Sequence, residues 1–396
     1  MQNKKRFSLG DAGISIALVV LVVFGSLMIA SAEMGNSVGD TSYLAGIIRK
    51  QIIYAAFGFV LYLVFMNVPL RKIPRIFFWV GYMVIIALLL SCKLFGETNG
   101  AYAWLYLPGG MSIQPSEFVK TFMIIFGARL LGTDHKDENK DNFFAYAICS
   151  FILFLIIAIY QHDFGSALVL FVICFCIMFI PPYKDLRRYQ IWMMWIIIGT
   201  VALVGVVLSP PVTEFLKRYK DNYMIGRFLA AADPFLYQYD NGYHLIMSLV
   251  SFANGDILGL GYGNSIHKYM NFPNPSNDFI LPVIVEELGI VGFTLFIMFY
   301  VLLLGPIIIG SLRSKYISSK IVLLGTFVYF IVHFILNVGG VSGFVPLTGV
   351  PLLLISSGGS SLVASMMALG LAQCELIRSR VPSSESNSGK VQENAD

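Results

Sequence analysis

The chain has 396 residues, of which 57% are hydrophobic and 13% charged, with a formal net charge of +4. Soluble domains carry about 25% charged residues, so a soluble core is excluded, and the small positive charge gives no reason to expect nucleic acid. The composition predicts an all-α polytopic membrane protein.

Apolar segments long enough to span lie at 13–32, 51–69, 75–92, 115–132, 143–160, 164–181, 190–208, 279–309, 321–340 and 352–377. At roughly 20 residues per span these make about ten transmembrane helices. The first segment has a full span's length and no small-residue cleavage site, and is expected to be a retained helix rather than a signal peptide. The 279–309 run is long, with kinks expected at Pro282 and Pro306.

Lys and Arg residues set the orientation. With the N-terminus inside, the inner loops hold Arg71, Lys72, Arg75, Arg129, Lys184, Arg187, Arg313, Lys315 and Arg378, while short outer loops keep only Arg49, Lys50 and Lys93. Both termini therefore face the cytoplasm, and a large extracellular loop, 209–278, joins helices 7 and 8. Residues 1–381 form one transmembrane domain. The tail 382–396, rich in Ser, Asn and Glu, is expected to be a disordered cytoplasmic segment. The five cysteines lie in or at the edges of spans, as small core residues rather than disulfides or metal ligands.

The informative residues are polar ones at membrane depth, where charge is costly and usually functional. Gln114-Pro115-Ser116-Glu117 opens the fourth span, and Glu117 and Lys120 share a helix face. They form either a capping ion pair or the lining of a polar cavity. Gln161-His162-Asp163 sits between two spans, and Asp163 is suited to cap the next helix. Asp278 stands at the mouth of the eighth span. Glu286 and Glu287 lie about two turns further in, where at least one must face the interior. His333 and Asn337, four apart, suit an interhelical hydrogen-bond pair. Gly259-Leu260-Gly261-Tyr262-Gly263 superficially resembles a nucleotide turn, but lacks the strand and helix around it and is read as a flexible turn of the outer loop. The Pro- and Gly-rich stretch 346–361 must be buried in protein or line a wet cavity.

Taken in order, these segments resemble the SEDS family (shape, elongation, division and sporulation), from about residue 10 to 378. The resemblance is carried by Gly100-Ala101-Tyr102-Ala103-Trp104, Gln114-Pro115-Ser116-Glu117 with Lys120, Gln161-His162-Asp163-Phe164-Gly165, Gly242-Tyr243-His244, Asp278-Phe279-Ile280 with Glu286-Glu287-Leu288-Gly289, and Pro346-Leu347-Thr348-Gly349-Val350-Pro351 with Ser356-Ser357-Gly358-Gly359-Ser360-Ser361. His162, Ser276-Asn277 and Ser357 depart from the family pattern without removing a charged position. The segments 25–32 and 39–40 resemble the FtsW-like and SpoVE-like branches more than the RodA-like one.

The resemblance implies a peptidoglycan glycosyltransferase that polymerises lipid II on the outer face of the cell membrane. It implies a class B penicillin-binding protein and other division or elongation membrane proteins as partners, and a lipid II flippase is the alternative. Asp278 matches the family's essential Asp and is expected to act as general base in an inverting transfer. Trp104, Ser116, Glu117, Lys120, Asp163, Arg227, Glu286 and Ser360 are expected to bind substrate or line the cavity. The pyrophosphate leaving group needs positive charge, from Lys120, from Arg227 or from a divalent cation such as magnesium or manganese. No organic cofactor and no protein-bound metal site is expected.

Overall fold

The computed structural model describes residues 9–35, 41–98, 100–107, 110–132, 139–207, 209–217, 223–239, 241–270 and 275–379. The predicted tail 382–396 lies outside the described residues. The helices in chain order are α1 (Leu9–Glu33), α2 (Thr41–Phe65), α3 (Arg75–Ser91), α4 (Pro115–Leu131), α5 (Asn139–Leu155), α6 (Phe164–Met178), α7 (Arg187–Val207), α8 (Pro210–Leu216), α9 (Tyr223–Ala232), α10 (Asn241–Gly255), α11 (Ile280–Arg313), α12 (Ile317–Ser342) and α13 (Gly359–Ser379). A short hairpin, β1 (Leu105–Leu107) with β2 (Met111–Ile113), pairs Leu105 with Ile113 in the first long outer loop.

Every predicted span is occupied by a helix. Among the described residues seven helices are long and apolar enough to cross a membrane, and Phe164–Met178 is apolar but shorter. α2 begins well before the predicted span, at Thr41, because its polar first turns, with exposed Arg49 and Lys50, fall outside any apolar window. The outer insert is not one open loop: α8, α9 and α10 fold within it. All five cysteines are free thiols.

α13 is the central helix, buried along nearly its whole length and packed between α2, α4 and α12. Lipid offers no hydrophobic drive between helices, so small residues must admit close backbone contact. Gly370 shows this: a methyl group there would stand 2.5 Å from the Tyr62 carbonyl on α2.

α11 is broken, though not at the prolines. Pro282 lies in its first turn, where no backbone donor is missed, and the helix runs on through Pro306. The break is at Gly289, whose φ of 65° and ψ of −166° are closed to other residues. The outer insert fills the gap. The Leu260 and Gly261 N–H groups donate to the Glu286 and Glu287 carbonyls, both at 2.9 Å, while Ile290 N–H donates to Asp256 O at 3.1 Å and Val291 N–H to Ile257 O at 3.2 Å. Thus the 259–263 glycine run, expected to be a flexible turn, is packed against α11. A methyl group on Gly259 would come within 2.2 Å of the Glu287 carbonyl.

Gly289→Ala places a methyl 2.3 Å from the Ile257 carbonyl and forces a forbidden backbone angle. A loss of at least about 3 kcal/mol is expected. Thermal unfolding in detergent should show a sharply lowered Tm for this variant, and little change for Gly305→Ala, where nothing lies within 4 Å.

Candidate active site

Asp278 sits on the short segment that leads from the outer insert into α11, and three elements fix its backbone. The Ser276 hydroxyl donates to the Glu33 carboxylate at the end of α1. The Ser276 carbonyl accepts from Ser357 N–H at 2.7 Å. The Asn337 amide, on α12, donates to the Asp278 carbonyl at 3.0 Å and to the Val350 carbonyl at 2.9 Å. Asp278 is thus tied to α1, to α12 and to the irregular segment before α13.

The carboxyl itself is held differently. Asp278 is half-buried, and its Oδ1 is buried without a hydrogen-bond partner. Burial pushes its pKa from 3.8 up to about 6, with the Arg227 charge pulling the other way. Arg227, on α9, is steered by a 2.9 Å bond from Nη1 to the Leu347 carbonyl. His244, on α10, packs its ring 5.8 Å from that of Phe279. Burial first, and then Arg227, hold His244 below the ordinary imidazole range, so it is neutral near pH 7. His244 Nδ1 and Thr348 Oγ1 are also buried without partners. Gly349 has φ of 70°, and a methyl there would stand 3.5 Å from Asp278 Oδ2. The cluster therefore joins an acid, a cation, a neutral imidazole and a hydroxyl from four segments. Buried polar groups are nearly always satisfied, so three unsatisfied ones here mark a place built for polar atoms from elsewhere.

Beneath this cluster lies a sealed network. Lys120 Nζ donates to Glu117 at 2.6 Å and to His333 Nε2 at 3.2 Å. Tyr329 donates to the other Glu117 oxygen at 3.2 Å. His333 Nδ1 then donates to the Pro351 carbonyl at 3.0 Å. Pro351 follows Val350, the residue that Asn337 joins to Asp278. Lys120 is 1% exposed, and its charge is matched by Glu117. This corrects the expectation that Lys120 meets a leaving phosphate and that Glu117 lines an open cavity: both brace the segment next to Asp278. His333 makes the interhelical hydrogen bond expected of it, to Lys120 on α4, and in addition His333 and Asn337 hold the Pro351 and Val350 carbonyls.

Asp163 caps α6, accepting from Ser166 N–H at 3.0 Å and from the Gln114 amide at 2.8 Å. Gln114 N–H donates to Ser360 Oγ at 2.9 Å, which brings Asp163 and Ser360 to one cluster. Gly165 lies so close to the Thr348 carbonyl that a methyl would come to 2.7 Å, so this cluster abuts the 348–350 turn rather than Asp278. Ser116 is fully buried, with its hydroxyl unpartnered. Trp104 is half-buried just before β1, and no contact ties it to Asp278.

Glu286 is not in the Asp278 cluster either. It is fully buried, bound by His267 Nδ1 at 2.7 Å, the Ser265 hydroxyl at 2.5 Å and Asn254 at 3.2 Å. Glu287 is bound by Lys268 at 2.8 Å and Ser31 at 2.7 Å. The adjacent pair Glu286-Glu287 is thus matched by the adjacent pair His267-Lys268, a complementarity present in the sequence but hidden by distance along it.

Among the described residues no group of three or more His, Cys, Asp or Glu side chains is placed to hold a metal ion. The charged neighbour of Asp278 is the Arg227 guanidinium, and the His244 imidazole is the other nitrogen group in the cluster.

The chain is 30% identical over 385 residues to a probable peptidoglycan glycosyltransferase FtsW of Coxiella burnetii, covering 94% of this chain and 97% of that one. It is also 30% identical to a probable peptidoglycan glycosyltransferase FtsW of Bacillus subtilis, covering 93% and 91%. Among solved structures, a chain from work on structural coordination of polymerization and crosslinking by a peptidoglycan synthase complex superposes with a TM-score of 0.66 at 23% identity, covering 93% of this chain and 98% of that one. The rod shape determining protein RodA of Thermus thermophilus gives a TM-score of 0.57 at 22% identity, covering 93% and 96%. These two share the fold. The model of the FTSW_RODA_SPOVE family, described as cell cycle protein, matches residues 12–376, and the chain belongs to that family.

Proposed function

We propose that this chain is a peptidoglycan glycosyltransferase of the FtsW-like kind, which joins lipid II units into glycan strands on the outer face of the cytoplasmic membrane. The single observation that carries this is the half-buried Asp278 carboxyl, unpartnered at Oδ1 and raised to about 6, beside Arg227 at the outer mouth of α11. The activity in the names of the curated relatives agrees with it.

Sugar transfer with inversion requires a base to take the proton of the acceptor hydroxyl as its oxygen attacks the anomeric carbon. The bond from that carbon to the lipid pyrophosphate breaks, and the pyrophosphate leaves with the electron pair. Asp278 is the base. A pKa of about 6 keeps it mostly ionised near neutral pH, yet basic enough to accept a proton. Arg227, steered by the Leu347 carbonyl, supplies the charge that meets the departing phosphate. Thr348 and the neutral His244 offer hydrogen bonds to sugar or phosphate oxygens. Glu117, Lys120, His333 and Asn337 position the turn that holds Asp278 and Thr348. A divalent ion bound with the pyrophosphate would add positive charge beside Asp278. The partner is a class B penicillin-binding protein that crosslinks the strands, in keeping with the synthase complex in which a structural relative was solved.

A flippase would need polar groups exposed along a path through the bilayer. Glu117, Lys120, Glu286 and Glu287 are instead buried and paired within the protein. The deciding experiment incubates purified protein, with and without a class B penicillin-binding protein, with labelled lipid II. Glycan ladders on a gel are expected. Transfer across liposomes without ladders would overturn the assignment.

Asp278→Asn is expected to lose at least about 10²-fold in polymerisation rate. The wild-type rate should rise with pH through about 6 as the carboxyl ionises, and a rate flat from pH 5 to 8 would remove Asp278 as base. The sign for stability is opposite. Burial disfavours the ionised form, so the folded state loses stability as pH rises from 3.8 through about 6. Asp278→Asn should therefore melt no lower than wild type at pH 7.5, with its advantage shrinking below pH 6.

Arg227→Gln and Lys120→Met should separate catalysis from support. Arg227→Gln is expected to cut turnover about 10²-fold with a much smaller loss of Tm than Lys120→Met. Lys120→Met leaves Glu117 charged and buried, which costs about 3–5 kcal/mol. The double variant Lys120→Met with Glu117→Gln should regain most of that stability, measured by thermal unfolding in the same detergent.

A further inference from the structure

A groove of about 360 Å³ lies at the outer ends of α3 and α5. Leu90, Leu155, Ile156 and Ile159 form aliphatic walls, and Lys93, Tyr160 and His162 stand at its head. Ile159 is 64% exposed and Leu90 41%, so the groove opens to lipid rather than into the packed interior.

One wall is built from irregular backbone. α5 continues into a π turn, Ile156–Tyr160, closed by a 3.0 Å bond from Gln161 N–H to the Ile156 carbonyl. Such turns inside helices gather at functional places. His162 follows with a φ of 59°, a left-handed conformation that strains any residue with a side chain. Glycine would make this turn without strain, and what it would lack is an imidazole.

The head of the groove holds a cation without an acid. Lys93 Nζ lies 4.8 Å from the centre of the Tyr160 ring and 5.7 Å from that of Tyr102, and no carboxylate pairs with it among the described residues. Glu97, the acid of its own segment, accepts from the Tyr102 hydroxyl at 3.0 Å instead. The Tyr160 hydroxyl donates to the Leu90 carbonyl at 3.3 Å. The His162 ring packs 5.9 Å from that of Tyr102 and makes no hydrogen bond among the described residues. An ammonium and an unengaged imidazole over aliphatic walls match phosphate oxygens over a hydrocarbon chain.

The next residues lead to the candidate active site. Asp163 accepts from the Gln114 amide, and Gly165 abuts the Thr348 carbonyl. One short segment therefore joins the head of the groove to the turn beside Asp278.

We infer that this groove holds a polyprenyl pyrophosphate lipid, with Lys93 and His162 on the phosphate oxygens and the first isoprene units against Leu90, Ile156 and Ile159. The choice of a polyprenyl lipid over a phospholipid rests on the polymerase reading, in which each transfer releases such a lipid beside Asp278.

The probe is farnesyl pyrophosphate, added to the full chain in phosphatidylcholine nanodiscs, with retention read by native mass spectrometry. The chain carries Arg227→Gln throughout, so that the groove rather than the Asp278 cluster is measured. Retention should fall about 10-fold with Lys93→Gln and about 10-fold with His162→Gly, since each removes one hydrogen bond to a charged group. Lys93→Arg should regain most of the loss. Glycine suits the backbone at 162, so Tm should not drop in His162→Gly, and weaker retention without a lower Tm is the signature of a ligand contact. Retention unchanged by Lys93→Gln would overturn the inference. So would equal displacement of the probe by short-chain phosphatidylglycerol, which would assign the groove to ordinary phospholipid, or by inorganic pyrophosphate, which would leave the aliphatic walls without a part. Retention is measured without turnover, so a failed polymerisation assay and a failed retention assay are separate results.

Discussion

Inside a membrane every carbonyl, amide and charge must find its partner within the protein, and here that constraint converges on the Asn337 side chain. Its one amide group holds the carbonyls of Asp278 and Val350 together. Those carbonyls belong to the two irregular stretches of the outer half: the entry to α11 and the run before α13. That link and the bond from Ser357 N–H to the Ser276 carbonyl fix the two stretches relative to one another. Asp278 on one and Thr348 on the other thereby form a single cluster. One turn earlier on α12, His333 repeats the device with the Pro351 carbonyl and is itself propped by Lys120.

The same constraint acts a second time where α11 breaks at Gly289. The carbonyls and amides freed by the break are taken up by residues 256–261, and the two carboxylates beside it are taken up by His267 and Lys268. The outer insert is therefore anchored at both its helical end and its return. This explains why a polar segment on the outside delivers Asp278 to a defined place. The segment leaves α11's break, grips Glu286 and Glu287, and re-enters the helix from which those residues come. Ser276, tied to Glu33 and to Ser357, removes the remaining freedom between these anchors.

Much of this was legible in the sequence because hydrophobic spans and misplaced charges are local signals. The helical spans and the interior position of the 286–287 carboxylates could both be read that way. What stayed hidden depends on partners. His267 and Lys268 looked like loop charges because the carboxylates they match lie 19 residues on. Lys120 looked available because sequence shows a charge but not the three side chains, Glu117, His333 and Tyr329, that enclose it. Pro282 and Pro306 looked like the kinks because a proline's missing donor is visible in sequence. Its cost, however, depends on whether the donor was needed. The need for glycine at 289 came from the approach of Ile257, which no local pattern encodes.

A contrast among buried charges follows from these partnerships. Lys120, Lys268, Glu286 and Glu287 each have an ion-pair partner, so the fold rather than any ligand satisfies them. Asp278 differs from these four: among the described contacts no ion pair joins it to Arg227, and its Oδ1 is unmatched. A direct bond to Arg227 would hold the carboxyl in the ordinary range and take away its basicity. The Leu347 carbonyl instead engages the guanidinium, so that its charge is felt at Asp278 without neutralising it. A carboxylate left unsatisfied in this way costs stability, and the dense support from Asn337, His333 and Lys120 is what lets the fold carry that cost. An acceptor hydroxyl that donates to Oδ1 would supply the missing hydrogen bond and at the same moment place its proton where the base can take it. In this arrangement substrate binding and base catalysis use the same unsatisfied atom.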